Sequence, residues 1–462
     1  MKELKLNFQK NILNKRITVV GMGVSGKSAA ILANHLGAIV YASDLSSSEK
    51  IVLNAMELMH DHHIASETGI HSKRIYDSDL FILSPGISAS SEIIKEASKK
   101  NIPMVSEIEF ASWFTKCSII GITGSNGKTT TTQILNQIFQ TNKVVGVIGG
   151  NIGIPFSECV LDELLHPDKD RIYLLEISSF QLEFASTFNP LMAVYTNITE
   201  DHLDRHHSMK EYINMKKRLV KNFTNKNLVV FNEDDDILKS VFNNSKYKTL
   251  TYGLNSLEHN FYIKEGFLFH KNSNEALLHT NDLKIKGKHN ILNCLAASSC
   301  AEAYGININE IKNALKKFNG IPHRIEHVTT LKGVDYINDS KATNINSVVV
   351  AIKTYTKPII LLLGGYNKGA DFRLLIPHIK SNSVKTILAY GEAGEQIETA
   401  IGDAVRLFKV NDLNSAVKDA HSIAHPGDIV LLSPGCASFD QFNNFEERGD
   451  FFKMAVNKLS FL

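Results

Sequence analysis

Short apolar runs bounded by glycine, aspartate or serine alternate with longer helix-compatible stretches along almost the whole chain. The strand candidates are RITVV, AIVYA, FILS, SIIGIT, VVGVIG, YLLEIS, MAVYTNI, LVVFN, PIILLLGG, TILAYG and DIVLLS. Such alternation implies parallel sheets with helices on both faces, the α/β class. A chain of 462 residues exceeds a single hydrophobic core, so about three domains are expected. A phosphate-loop pattern that begins near Trp113, and the turn Asn319-Gly320-Ile321-Pro322 after a helix-like run ending at Phe318, divide the chain into 1–113, 114–320 and 321–462. The segments DLFILSPGISAS (79–90) and DIVLLSPGCASF (428–439) each run an apolar strand into Ser-Pro-Gly. That echo suggests two end domains of similar build around a different middle one.

Composition removes several classes of function. Lys plus Arg total 50 against 48 Asp plus Glu, without a long single-sign block, so there is no footprint for nucleic acid or a membrane surface. Five cysteines, without C-x-x-C spacing, exclude a disulfide framework and a zinc knuckle. No apolar run approaches the roughly 18 residues of a membrane span, and the polar N-terminus lacks a signal-peptide core. A cytoplasmic location is expected.

The segment GMGVSG (21–26) follows the strand Ile17-Thr18-Val19-Val20. Gly21 permits a tight turn, Gly23 lets backbone approach a diphosphate, and Gly26 allows close helix packing, while Asp44 lies at the distance of a ribose partner. Such a loop marks a nucleotide diphosphate, not hydride transfer. The second loop, GITGSNGKTTTT (121–132), is more specific: Lys128 can reach β- and γ-phosphates and Thr129 can ligate Mg²⁺. Ile122 stands where a strict phosphate-loop pattern has glycine, so the cradle of Gly121, Gly124 and Gly127 differs from that of common switches. A dehydrogenase has no use for this loop. A GTPase would need Asn-Lys-x-Asp, and Asn367-Lys368-Gly369-Ala370-Asp371 has one residue too many.

Glu176 ends an apolar strand, where a carboxylate can share Mg²⁺ with phosphate. NITEDHLDRHH then gathers Glu200, Asp201, His202, Asp204, His206 and His207; a zinc hydrolase would use such a cluster, but its place after a phosphate loop favours magnesium. His206 and His207 read as surface residues.

Together the motifs resemble the Mur ligases, ATP-dependent amide-forming enzymes of peptidoglycan precursor synthesis. The resemblance is carried by TGSNGKTTT, GGNIGIP, EISSFQLE, NITEDHLDRH, KGKHNILN, IPHRIE, NDSKATN, GGYNKGADF and SPGCASFDQFNNFEERGDFF, in that order from 123 to 452. It is strongest to the branch that adds D-glutamate. Folylpolyglutamate synthase shares the central loop but lacks a UDP-binding first domain.

The resemblance implies three domains: an N-terminal Rossmann-like one for UDP, a central phosphate-loop one for ATP and a C-terminal Rossmann-like α/β one for the amino acid. It implies an acyl phosphate as intermediate, with ATP, two Mg²⁺ and the substrates UDP-N-acetylmuramoyl-L-alanine and D-glutamate acting on a monomer. Val24, Ser25, Asp44, Ser84 and Gly86 would hold the UDP portion, and Asn151 and His202 the muramoyl-alanine carboxylate. Gly124, Asn126, Gly127, Lys128, Thr129 and Thr130 would hold the phosphates, Asn290 and Asn293 adenine, and Arg324, Asp339 and Lys341 the nucleotide from the third domain. Thr129 and Glu176 would bind one metal, and His202 with Lys216 the other. The family carries a carbamylated lysine at a Tyr-x-x-x-Lys spacing that Tyr212 and Lys216 reproduce, with Lys217 and Lys210 nearby. D-glutamate would meet Thr343, Lys368, Ser438, Phe439 and Phe445. Leu45-Ser46 after Asp44, and Tyr366, depart from the family pattern. Closure about hinges near Trp113 and Asn319-Gly320 is expected to exclude water.

Overall fold

The computed structural model describes residues 1–140, 144–201, 203–243, 245–271, 276–381 and 383–460. His202 lies outside the described residues.

The first sheet joins β1 (Arg16–Val20), β2 (Ile39–Asp44), β3 (Ala65–Thr68), β4 (Leu80–Leu83) and β5 (Met104–Ser106) in the order β3-β2-β1-β4-β5, all parallel. The chain reverses direction across the sheet between β1 and β4. The glycine loop after β1 and the Ser-Pro-Gly turn after β4 therefore flank the crevice where ligands of such sheets bind.

The second sheet contains β6 (Ser118–Thr123), β7 (Val145–Gly150), β8 (Arg171–Glu176), β9 (Met192–Tyr195), β10 (Leu228–Asn232), β11 (Lys248–Tyr252), β12 (Phe261–Lys264), β13 (Phe267–His270) and β14 (Ala276–His279). Their order is β14-β13-β12-β11-β10-β9-β6-β8-β7, with only β12, β13 and β14 paired antiparallel. β6 is thus covered on both edges, and β8 is buried along its whole length. Apolar runs buried on both faces are what a helix-sandwiched parallel sheet requires.

The third sheet contains β15 (Glu326–Leu331), β16 (Val334–Asn338), β17 (Ile359–Gly364), β18 (Val384–Tyr390), β19 (Leu407–Val410) and β20 (Ile429–Gly435) in the order β15-β16-β20-β17-β18-β19. All are parallel except β15 on β16. The two end sheets share the wound parallel character, but the last strand of the third is inserted beside β17 at its centre. The echo of Ser-Pro-Gly is therefore an echo of a strand end and not of a whole topology.

Residues 1–283 with 289–318 form one compact body, and residues 284–288 with 319–462 a second. The first two sheets belong to one body because a continuous core runs through Phe8, Ile12, Trp113, Phe156 and Tyr173. Glu109 reinforces it, accepting the backbone N–H groups of Ser186, Thr187 and Phe188 at 3.0, 2.8 and 2.7 Å. Trp113 is 1% exposed and donates its Nε1–H to Glu109 and Thr187. A hinge at Trp113 is not what this packing provides: the indole is an anchor between two domains. Among the described residues, no helix is long and apolar enough to cross a membrane.

Candidate active site

The glycine loop at 124–127 sits at the carboxyl end of β6 and opens the helix Lys128–Phe139. Gly124 has φ 149°, and a Cβ there would lie 1.9 Å from Thr196 Oγ1; Gly127 has φ 85°, and its Cβ would lie 2.4 Å from Asn293 Oδ1. Only glycine fits either position. The loop is fixed from outside: Ser125 Oγ donates to Thr199 O, Asn126 N to Asn197 Oδ1, and Thr196 Oγ1 to Asn126 O. The N-terminus of the helix Lys128–Phe139 makes an anion-binding end. Lys128 arches back over this cradle, with Nζ donating to Gly124 O and Ser125 O at 2.8 Å each. Thr130 is buried in the first turn.

Two oxygen donors meet beside the loop. Thr129 Oγ1 donates to Glu176 Oε2 at 2.8 Å, and Asn151 Nδ2 donates to Glu176 Oε1 at 2.9 Å. A hydroxyl and a carboxylate at one spot match the hard oxygen ligands Mg²⁺ takes. Among the described residues, no group of three or more His, Cys, Asp or Glu could hold a metal ion unaided.

Lys216 completes the cluster from the helix Met209–Lys217. It is 1% exposed, its Nζ donates to Gly124 O at 2.9 Å, and it rests 4.6 Å from the centre of the Tyr212 ring, whose hydroxyl pairs with Ser125 Oγ. Burial pushes the ammonium down to about 7, with Lys128 acting in the same direction against Asp201 and Glu176. Lys210 and Lys217 are exposed. His206 corrects the surface reading: it is 5% exposed, stacked on Phe180 and paired with Ser179 Oγ at 2.8 Å. His207 is exposed, as expected. On the other side of the loop, Thr131 Oγ1 donates to Asn293 Oδ1 and Asn293 Nδ2 to Asn290 Oδ1, both at 3.3 Å.

In the first sheet, Ser84 Oγ donates to Gly21 O at 2.8 Å, so the two turns at the crevice support one another. A Cβ on Gly26 would lie 1.8 Å from Gly21 O, whereas one on Gly23 or Gly86 would meet no protein atom within 4 Å. Gly26 serves packing; Gly23 and Gly86 border open space that a ligand can enter. Val24 is half exposed and Ser25 partly so. Asp44 differs from a simple ribose partner, because its oxygens accept Met22 N at 2.6 Å and Ser46 N at 2.8 Å, which makes it the organiser of both loops.

In the third domain Lys368 follows β17 and Ser438 and Phe439 follow β20, whereas Thr343 follows β16 and Phe445 opens the helix Phe445–Leu459. Lys368 Nζ lies 4.9 Å from the Phe439 ring centre and Lys341 Nζ 5.5 Å from that of Phe445. Ser438 is buried, Thr343 and Phe439 are exposed, and Arg324 is half-buried. Asp339 is 4% exposed, with both oxygens engaged by Ile325 N and Ser433 Oγ. Sequence reasoning missed Arg448. It is fully buried and donates to Ser340 Oγ and O and to the carbonyls of Cys436 and Ala437, joining the two segments that carry Lys341 and Ser438. In the charged stretch FEERGDFF the helix period could have found it, since Arg448 and the apolar Phe452 lie four apart on one face.

Family models match along the chain in order: MurD N-terminal domain at 16–93, Mur ligase middle domain at 122–301, and Mur ligase, glutamate ligase domain, at 323–436. A UDP-N-acetylmuramoylalanine–D-glutamate ligase of Chloroherpeton thalassium is 39% identical over 469 residues, 97% of this chain and 99% of its own length. One of Caldanaerobacter subterraneus is 38% identical over 451 residues, 96% of this chain and 98% of its own. Among solved structures, UDP-N-acetylmuramate-alanine ligase MurC from Thermotoga maritima shares the fold at 17% identity, with a TM-score of 0.58 over 96% of this chain and all of that one. Glycine-loop geometry, the ordered domain matches and near-full-length relatives agree: the chain belongs to the Mur ligase family, in the branch that carries the MurD N-terminal domain.

Proposed function

We propose that this chain joins D-glutamate to UDP-N-acetylmuramoyl-L-alanine in the cytoplasm, as a monomer, with conversion of ATP to ADP and phosphate. The observation that carries the reading is the convergence of Lys128, Thr129, Glu176 and Lys216 on one glycine loop. A carboxylate does not react with an amine at neutral pH, because oxide would have to leave. Transfer of the γ-phosphoryl group to the alanine carboxylate gives an acyl phosphate; attack by the amine of D-glutamate forms the amide and releases phosphate.

The chain's own groups fit that task. Lys128 neutralises charge on the transferring phosphoryl, and the N-terminus of the helix Lys128–Phe139 holds the neighbouring phosphates. Thr129 and Glu176 would hold one Mg²⁺ and, by the family resemblance, His202 and Lys216 a second; such ions would supply further neutralisation of phosphate charge. As an ammonium, Lys216 cannot be a metal ligand. Burial lowers the cost of losing the proton, so a sizeable fraction of the amine is neutral near pH 7 and can add CO₂, forming an N–C bond and losing a proton, to become an anionic oxygen donor. Asn151 orients Glu176 and is itself exposed, so it can also meet the muramoyl-alanine carboxylate. Gly23 and Gly86 leave room for the diphosphate, and Lys368, steadied on Phe439, can pair with a carboxylate of the amino acid.

Phosphate release from ATP, measured with UDP-N-acetylmuramoyl-L-alanine and a panel of amino acids, tests the reading. Turnover with D-glutamate and little with L-glutamate is expected; turnover with L-glutamate alone would remove the substrate assignment.

A further inference from the structure

Arg324 is presented by an unusual turn. His323 and Ile325, on either side of it, both have left-handed backbone, φ 63° and 46°. For a β-branched residue such as Ile325 that is a strained conformation, and it persists only where surroundings over-determine it. They do so here. His323 N donates to Glu326 Oε2 at 2.8 Å, Lys341 N to His323 O at 3.0 Å, and Asn338 Nδ2 to His323 Nδ1 at 3.1 Å. Gly449 is the packing partner: a Cβ there would lie 2.1 Å from His323 Nδ1. The side chain of the strained residue packs against the core of the third domain, and its amide is held by one side chain, since Ile325 N donates to Asp339 Oδ1 at 3.1 Å. Asp339 Oδ2 accepts from Ser433 Oγ at 2.8 Å, and Ser433 belongs to the strand end that leads into Ser438. Asp339 and Ser433 are both buried.

We propose that Asp339 is a positioning residue whose buried carboxylate clamps the strained turn presenting Arg324 and couples it to the Ser-Pro-Gly end of β20. This rests on the reading that Arg324 acts on the nucleotide, but gives Asp339 a different task from touching it. The clamp makes a specific demand. Removing the carboxylate leaves the left-handed Ile325 without its partner, so the turn relaxes and Arg324 moves away. A glycine at 325 adopts the same backbone without steric cost and needs no clamp.

A mutant cycle of Asp339→Ala, Ile325→Gly and the double variant, with Asp339→Asn and Arg324→Ala alongside, tests this through kcat, the KM for ATP and thermal midpoints. Asp339→Ala is expected to raise the KM for ATP about tenfold or more, because small misplacements of a binding group cost that much. Ile325→Gly alone should stay within about twofold of the parent, and the double variant should recover most of the lost affinity. Asp339→Asn keeps an acceptor for Ile325 N and should fold and bind within about threefold of the parent. A double variant no better than Asp339→Ala, or Asp339→Asn as impaired as Asp339→Ala, would overturn the clamp. An unchanged KM in Arg324→Ala would overturn the nucleotide reading beneath it, and the two failures are distinguishable.

Discussion

At the scale of single residues, the account places the weight of catalysis on two lysines that share the carbonyl of Gly124. Lys128→Ala should reduce phosphate release by about a thousandfold, comparable to losing a preorganised oxyanion donor, with an unchanged thermal midpoint. Lys216→Ala should be as severe, while Lys217→Ala, exposed one residue further on, should retain nearly full activity. If Lys216 acts as a carbamate, a small carboxylate such as acetate should restore part of the activity of Lys216→Ala and none to Lys128→Ala. Gly23→Ala separates binding from folding in another way. The residue has φ −64° and no protein atom near its missing Cβ, so alanine should leave stability unchanged while raising the KM for the UDP substrate. Steady-state kinetics and melting curves read both. Much at this scale was legible: helical register alone selects Lys216 over its neighbours, and the glycine spacing gives the cradle. The clamp roles of Asp44 and Asp339 were not, since a pattern that supplies a carboxylate does not say whether ligand or backbone takes it.

At the scale of elements, the helix Glu107–Ala111 is the joint between the first two sheets. Glu107 is 1% exposed; its Oε1 accepts Ser157 N, while Oε2 has no hydrogen-bond partner. Burial raises its carboxyl from 4.5 to about 7, the hydrogen bonds from Ser157 opposing. A folded pKa above the unfolded one means stability that is complete below about 4.5 and is lost as pH rises through about 7. The loss is on the order of 3 kcal/mol. Glu107→Gln, neutral at every pH, should flatten that part of the stability profile between pH 5 and about 8, read as the difference from the parent in urea unfolding. Strands were legible in proportion to burial on both faces. β1, β4, β6, β8, β10, β17 and β20 are continuous apolar runs, but β3 (ASET), β15 (EHVTTL) and β19 (LFKV) are half-exposed edge strands with no apolar run to find. The antiparallel strands β12, β13 and β14 escaped because each is only four residues long and no helix-compatible stretch separates them.

At the scale of the whole molecule, three wound sheets each present glycine-bearing turns at the carboxyl ends of their strands, where the proposed reaction places diphosphate, ATP and amino acid. The division into three sheets followed from length and loop patterns. That the first two share one core did not, because Trp113 and Glu109 make contacts with residues far away in sequence. In the proposed reaction a carboxylate is activated by phosphoryl transfer before the amine attacks. The direct measurement uses UDP-N-acetylmuramoyl-L-alanine carrying heavy oxygen in its carboxylate, with ATP and D-glutamate, and mass analysis of the released phosphate. The account predicts phosphate bearing one labelled oxygen, in proportion to amide formed; unlabelled phosphate alongside full amide formation would contradict it.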